Sequence, residues 1–218
     1  MNIIALTDIH GRTGIFDPLA GQLRSADLVV LSGDITHFGH KDEIAAIIAN
    51  LRKFNHNILA VTGNCDHHEV EQFLSDEGIS VFGSMKPFKN IVFYGLSGSL
   101  PCPGPTPNEY SDQEYEAILA DVHFSSDQPV IMISHQPPYN TLNDFVPPGI
   151  HVGSKSIRDF IARTRPLICF TGHIHEGIGI DTIGSTAIAN PGPAFYGGYA
   201  KVVIDNNAVK SLTLQKFK

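Results

Sequence analysis

In the stretch "PLICFTGHIHEG" an apolar run ends in two histidines one residue apart, and His173 and His175 carry side chains that bind metals or move protons near neutral pH. Read as the end of a strand, the segment sends both imidazoles to one face. The same kind of ending recurs along the chain: "NIIALT" runs into Asp8 and His10, "DLVVLS" into Asp34, "NILAVT" into Asn64, and "PVIMIS" into His135. Carboxylate, amide and imidazole form a donor set suited to Mn²⁺, Fe²⁺ or Zn²⁺ rather than to a metal selected by thiolates. Seven such residues are too many for one ion. With the Asp34 carboxylate as a bridge they can hold two ions about 3.5–4 Å apart, the arrangement of two-metal hydrolysis, and His173 and His175 then serve different ions.

Singly, each piece has a plainer reading. Gly followed by Asp or Asn is ordinary turn sequence, His10 before Gly11 reads as a surface residue, and His135 before Gln136 and two prolines reads as a strand end. Their joint occurrence, each just past a buried run, is what points to a site. In a parallel sheet the carboxyl ends of the strands share one edge, so residues distant in sequence become neighbours there.

Six apolar runs rich in β-branched residues read as buried strands: the five above, with "PLICFT", and "NIVFYGLS" from Asn90, which carries no candidate ligand. Helical patterns fall between them, over Ile15 to Ser25, Lys41 to Phe54, Glu69 to Glu77, Asp112 to Phe124 and Lys155 to Arg163. Ser111, three residues before Glu114, signs a capping box, and Gly153-Ser154 reads as a helix cap rather than a phosphate cradle. This alternation predicts an α/β fold with a mainly parallel sheet and helices packed on it. After Gly172 the pattern turns to short strands with Gly-rich turns, an antiparallel tail ending in a hairpin around Asp205, Asn206 and Asn207. The Pro- and Gly-rich stretch from Ser97 to Asp112 reads as a loop at the edge of a site or on the plain surface.

A length of 218 residues, 42% hydrophobic and 17% charged, predicts one globular domain over residues 1–218. A formal net charge of −7 and the lack of a basic run argue against non-specific nucleic-acid binding, and a strand-tracking nuclease is disfavoured for the same reason. Three scattered cysteines, Cys65, Cys102 and Cys169, suit reduced thiols in the cytoplasm, and neither a signal peptide nor a membrane span is expected. Oligomeric state is not legible.

The successive blocks Asp8-x-His10, Gly33-Asp34, Gly63-Asn64, His135 and Gly172-His173-x-His175 resemble those of the calcineurin-like metallophosphoesterase superfamily, across most of the chain. The resemblance implies a four-layer αββα sandwich of mixed sheets with helices on the outer faces. It implies two divalent metal ions, manganese first, with Fe, Zn, Ni or Mg as alternatives. One takes Asp8, His10 and His175, the other Asn64, His135 and His173, and Asp34 joins them. Asp34, Asn64 and His135 are the candidate catalytic residues. The implied reaction is hydrolysis of a small phosphoester, most naturally a phosphodiester, by in-line attack of a hydroxide that bridges the two metals.

One position departs from the pattern. Many members place a histidine directly after Gly-Asn to protonate the leaving group, and here Cys65 stands in "GNCD", as in a group of small bacterial and archaeal phosphodiesterases that the sequence resembles most. A neutral thiol is a weak donor, so leaving groups that need little protonation are favoured. Asp66 is expected to be structural. His67 and His68 are alternative donors or simply exposed residues at a helix start, and His37 and His151 are candidates to reach over the cleft. The missing histidine also motivates an alternative from a different class, a catalytically weak or inactive metal-binding scaffold for protein interaction, against which stands the complete ligand set.

Overall fold

The computed structural model describes residues 1–125 and 128–217. Its strands are β1 (Asn2–Leu6), β2 (Leu28–Ser32), β3 (Ile58–Val61), β4 (Met85–Phe88), β5 (Ile91–Leu96), β6 (Val130–Ser134), β7 (Phe145–Val146), β8 (Ile150–His151), β9 (Ile168–Phe170), β10 (Gly179–Ile183), β11 (Thr186–Asn190), β12 (Gly198–Asp205) and β13 (Ala208–Lys216). Its helices are α1 (Ala20–Ser25), α2 (Lys41–Leu51), α3 (His68–Asp76), α4 (Asp112–Ala120) and α5 (Lys155–Thr164).

The strands divide into two large sheets. One runs β13-β12-β1-β2-β3 and the other β10-β11-β9-β6-β5-β4, while β7 and β8 form a small ribbon. Within the first, β1, β2 and β3 are parallel; within the second, β5, β6, β9 and β11 are parallel. Alternate residues explain why the strand runs are apolar throughout. In β1, Ile3 and Ala5 enter the core between the sheets, whereas Ile4 and Leu6 meet α1 and α2 on the outside. In β6, Ile131 and Ile133 point to the same central core and Met132 points to α4 and α5. A strand covered on both faces has no side to show to water, so period-two alternation disappears. Three cores between four layers make the αββα sandwich, and truncating a fully buried central residue such as Phe170 to Ala should cost about 3–5 kcal/mol.

The strand-and-helix alternation by itself suggested one sheet, and the structure corrects this to two. The tail is also not one antiparallel appendage. Its β10-β11 hairpin extends the second sheet, with β11 parallel to β9, whereas the β12-β13 hairpin extends the first through an antiparallel β1-β12 pair. The turn at Asn206 and Asn207 has both residues at positive φ, 48° and 60°, as a two-residue hairpin loop requires. Helices α2 and α4 stop at Leu51 and Ala120, short of the expected Phe54 and Phe124. Phe54 and Phe124 still pack against the outer cores, so the apolar period outlasts the helical hydrogen bonds. At the front of α1, Thr13–Ile15 is a separate 3-10 turn. The capping box at Ser111 and the cap donated by Ile157 N to the Ser154 hydroxyl are both present. Among the described residues no helix is long and apolar enough to cross a membrane.

Candidate metal centre

The candidate side chains follow β1, β2, β3, β6 and β9, and the two sheets present these carboxyl ends at a common rim. The loops after β1 and β2 continue the parallel ladder: Asp8 N donates to Gly33 O at 3.0 Å, and His10 N to Asp34 O at 2.9 Å. These bonds hold a strained backbone. Asp8, His10, Asp34 and His173 all lie at positive φ, 52°, 47°, 47° and 66°, a region costly for residues with a Cβ and concentrated at functional sites. The glycines in the blocks answer to close approach as well as to backbone conformation, Gly33 lying at φ 93°. A Cβ at Gly33 would run into the ring of His135, and one at Gly63 into Asp34 itself.

Asp34 is the meeting point. Its Oδ2 lies 3.6 Å from His10 Nε2, and its Oδ1 lies 3.4 Å from His135 Nε2 while accepting from Cys65 N at 2.8 Å. On the first side, Asp8 Oδ1 stands 3.2 Å from His175 Nε2 and 3.9 Å from His10 Nε2, with its other oxygen accepting from Thr7 Oγ1 at 2.8 Å. On the second, His135 Nε2 faces Asn64 Oδ1 at 3.1 Å. His173 joins this side, its ring 5.3 Å from that of His135 and its Nε2 3.8 Å from Cys102 Sγ.

These donors fit a cation. His135 Nδ1 donates to Ser32 O at 2.8 Å, so in the neutral ring Nε2 is a lone pair aimed at two oxygens. Three acceptors facing one another repel unless positive charge lies among them. Separations of about 3–4 Å are also those of atoms that share an ion at about 2.0–2.2 Å each. Three clusters, Asp8 with His10 and His175, Asp8 with Asp34 and His135, and His10 with Asp34 and Cys65, each bring their ligand atoms within 4.8 Å of one another. His173 is in none of these three.

The titration directions follow. Burial opposes charge on His135, but the carboxylates of Asp34 and Asp8 and the Ser32 carbonyl outweigh it and raise its pKa to about 9. Burial would likewise raise Asp34, yet the imidazoles of His135 and His10 hold its carboxyl well below the usual range. Burial and the neighbouring His135 press His173 down to about 4, and burial also lowers His10. The hydrogen bond to Asp8 raises His175. Burial first, and the Asp34 carboxylate next, push the Cys65 thiol far up, so it is no thiolate nucleophile.

One premise of the sequence reading fails: His173 to His175 is not extended. His173 is left-handed and Ile174 N turns back to Gly172 O at 2.7 Å, so a turn sets the two imidazoles toward opposite sides of Asp34, where an extended strand would send both to one face. Asp66 is a clamp as expected, accepting from Ile35 N, Thr36 N, Thr36 Oγ1 and Gly63 N at 2.7–3.1 Å and so tying the second block to the third. His37 reaches the site, its Nδ1 3.3 Å from His10 Nδ1, whereas His151 is tied to buried Asp144 at 2.7 Å. His67 stacks on His40 with ring centroids 4.4 Å apart, and His68 is exposed.

Asn108, Phe195 and Arg12 contribute without having been read from the sequence. Asn108, in the Pro-rich loop, donates its amide to Gly63 O at 2.9 Å and its backbone N–H to Asn64 O at 3.2 Å, which brings that loop to the site's edge. Phe195 packs its ring 5.4 Å from His10 and 5.6 Å from His175, under the Arg12 guanidinium. The turn "NPGP" that precedes Phe195 was the only signal for it, and that turn does not specify an aromatic.

Comparison with known proteins bears on the family and the fold. Residues 1–177 match the family model of the calcineurin-like phosphoesterases. An uncharacterised protein of Methanocaldococcus jannaschii is 40% identical over 201 residues, covering 90% of each chain. A solved structure from Thermus thermophilus is similar with a TM-score of 0.77 at 18% identity, covering 99% of this chain and 98% of that one. A structure described as a novel archaeal phosphodiesterase is similar with a TM-score of 0.53 at 14% identity over 100% of both chains.

Proposed function

Because the chain belongs to the calcineurin-like phosphoesterases, a family of metal-dependent phosphoester hydrolases that work through two metal ions, we propose that its rim hydrolyses a small phosphodiester with two bound divalent cations, manganese first among them. The observation that carries this reading is Asp34, whose two carboxylate oxygens face histidines on opposite sides at 3.6 and 3.4 Å. Such a pair of cations, when bound, supplies charge for the phosphoryl oxygens and a water activated at neutral pH for in-line attack.

The chain's own residues prepare that chemistry. Asp8, His10 and His175 would hold one ion and Asn64, His135 and His173 the other, with His10 and His135 the member of each set that faces Asp34. Ser32 O fixes the His135 tautomer and Thr7 Oγ1 fixes the free oxygen of Asp8, so the donors are oriented before any ligand arrives. Cys65 offers no proton to a leaving group, which favours esters of acidic alcohols such as aryl phosphodiesters. The diester preference also draws on the similar archaeal structure described as a phosphodiesterase. Net charge of −7 speaks for a small substrate over a nucleic-acid strand, and unpaired cysteines suit the cytoplasm.

Cys65 also favours a second reading, a metal-binding scaffold without turnover. The two part in one assay. Protein stripped with chelator and then given Mn²⁺ should hydrolyse bis(4-nitrophenyl) phosphate, faster than 4-nitrophenyl phosphate. No hydrolysis of either with Mn, Fe, Zn, Ni or Mg would overturn the hydrolase and leave the scaffold.

A further inference from the structure

His175 has two neighbourhoods. Its Nε2 meets Asp8, and the residue also lines a cavity of about 390 Å³ with Ile178, Pro191, Pro193, Tyr196 and Leu214. The cavity opens where the edge of one sheet, at β13, faces the turn that follows β11 in the other. Its size lies within the range of small-ligand sites. Its chemistry is one-sided. Among the described residues the only polar side chains on it apart from His175 are Gln215 and Lys216, both exposed, with the Tyr196 hydroxyl, and no carboxylate lines it. Ile178 and Tyr196 are among the most exposed large apolar residues of the chain, at 51% and 65%, so apolar surface stands open beside a candidate metal ligand.

The cavity adjoins the centre through His175, which lines it, and a row of aromatic contacts borders the two. Tyr196 lies against Phe195 with ring centroids 4.2 Å apart, and Phe195 in turn packs on His10 and His175. A single residue, His175, thus separates the apolar hollow from Asp8 at the rim. A larger cavity of about 580 Å³, lined by His123, Arg163 and Arg165 among others, lies instead where β6 and β9 begin, at the opposite end of the sheets.

We propose that the hollow on the His175 side binds the organic group of the substrate, and that this group is an aromatic ring or a short aliphatic chain rather than a sugar or a cationic group. A hydroxylated or cationic group would lose its water there and find few partners, with no carboxylate to meet it, whereas a ring would cover Ile178, Leu214 and the two prolines. The assignment rests on the phosphoesterase reading and narrows its substrate class.

Non-hydrolysable phosphonates test it by affinity instead of by turnover. Titration calorimetry on the manganese-loaded protein should show phenylphosphonate binding about tenfold more tightly than methylphosphonate, the usual scale of discrimination by an apolar pocket. Ile178→Asp should erase most of that ratio, and Tyr196→Ala should reduce it. The ratio is insensitive to the fraction of folded protein. Equal affinities in the unsubstituted protein, failure of phenylphosphonate to bind, or a preference that survives Ile178→Asp would each overturn the proposal. A protein that shows the preference but cleaves no phosphoester would sink the hydrolase and leave the pocket standing; one that cleaves diesters with no phenyl preference would do the reverse.

Discussion

The two sides of Asp34 are made of similar donors and differ in how they are held. His135 is fully buried at the end of β6, its Nδ1 locked on Ser32 O. Opposite it, the His175 side chain is 39% exposed and His10 13%, and their rings touch Phe195 and, for His10, His37. The difference follows from where each residue leaves its strand. His135 sits directly after Ser134, inside the sandwich, whereas His10 and His175 come after turns that carry them toward solvent. One side is thus a buried seat and the other a partly exposed mouth. The same side carries the apolar hollow.

The largest expected effect comes from removing what the two sides share. Asp34→Asn replaces one of two anionic oxygens with an amide and weakens both clusters at once. Turnover should fall by about 10³-fold or more, with loss of bound metal by elemental analysis. Full activity with unchanged metal content would break the assignment of the whole rim.

Next in size are paired substitutions that should be unequal. His175→Gln leaves a gap that water can enter, so the loss in metal affinity should be about tenfold and recoverable with added Mn²⁺. His135→Gln leaves the gap in a dry seat and takes the donor from Ser32 O, so the loss should approach about 100-fold and resist added metal. Manganese titrations of the two variants decide it. Equal losses would mean that burial does not distinguish the two sides.

The buried side should also betray itself by pH. In the metal-free chain His135 has a pKa raised to about 9, the carboxylate of Asp34 overcoming burial. A raised histidine stabilises fully below its unfolded value near 6.5, and that contribution disappears as the pH climbs through 9, a change on the order of 3 kcal/mol. Melting temperature should therefore fall by about 5–10 °C between pH 6.5 and 9.5. His173, lowered to about 4, acts with opposite sign and in another window, losing stability as pH falls from 6.5 through 4. Bound metal displaces the His135 proton, so loading at pH 7 should release about one proton and flatten the alkaline slope. A slope that persists in His135→Gln would assign it elsewhere.

How far the sequence discloses this arrangement depends on what each residue answers to. Strands such as β1, β2 and β6 were legible because both faces are apolar, and the polar residues that end them stood out against that background. β4 was not, because Met85–Phe88 is a short, half-exposed edge strand containing Pro87, and β7 and β8 are only two residues long. All seven candidate ligands come to one rim, but nothing local fixes their backbone. The left-handed turn at His173 interrupts a segment whose residues suit a strand, and the contact of Phe195 with His10 joins residues 185 positions apart, 195 less 10. Residue types spoke for chemistry; long-range contacts decided which side each residue serves.

Cys65 should give the smallest effect, and it bears on the same comparison because it lies at the join. Its backbone N–H donates to Asp34 Oδ1 at 2.8 Å, and its Sγ receives Asn64 Nδ2 at 3.6 Å. The first contact survives any side-chain change, and the second is a weak bond to sulfur. Since burial and the Asp34 carboxylate keep the thiol neutral, it gives no proton to a leaving group and offers no thiolate to phosphorus. Cys65→Ala should therefore hold kcat/KM on an aryl diester within about threefold, far from the ~10²–10⁴-fold that loss of a working general acid produces. Cys65→His should help alkyl esters, whose leaving groups need a proton, by about tenfold, and aryl esters hardly at all. A 100-fold loss in Cys65→Ala on the aryl diester, with metal content intact, would make the thiol a participant and reopen the division between the seat and the mouth.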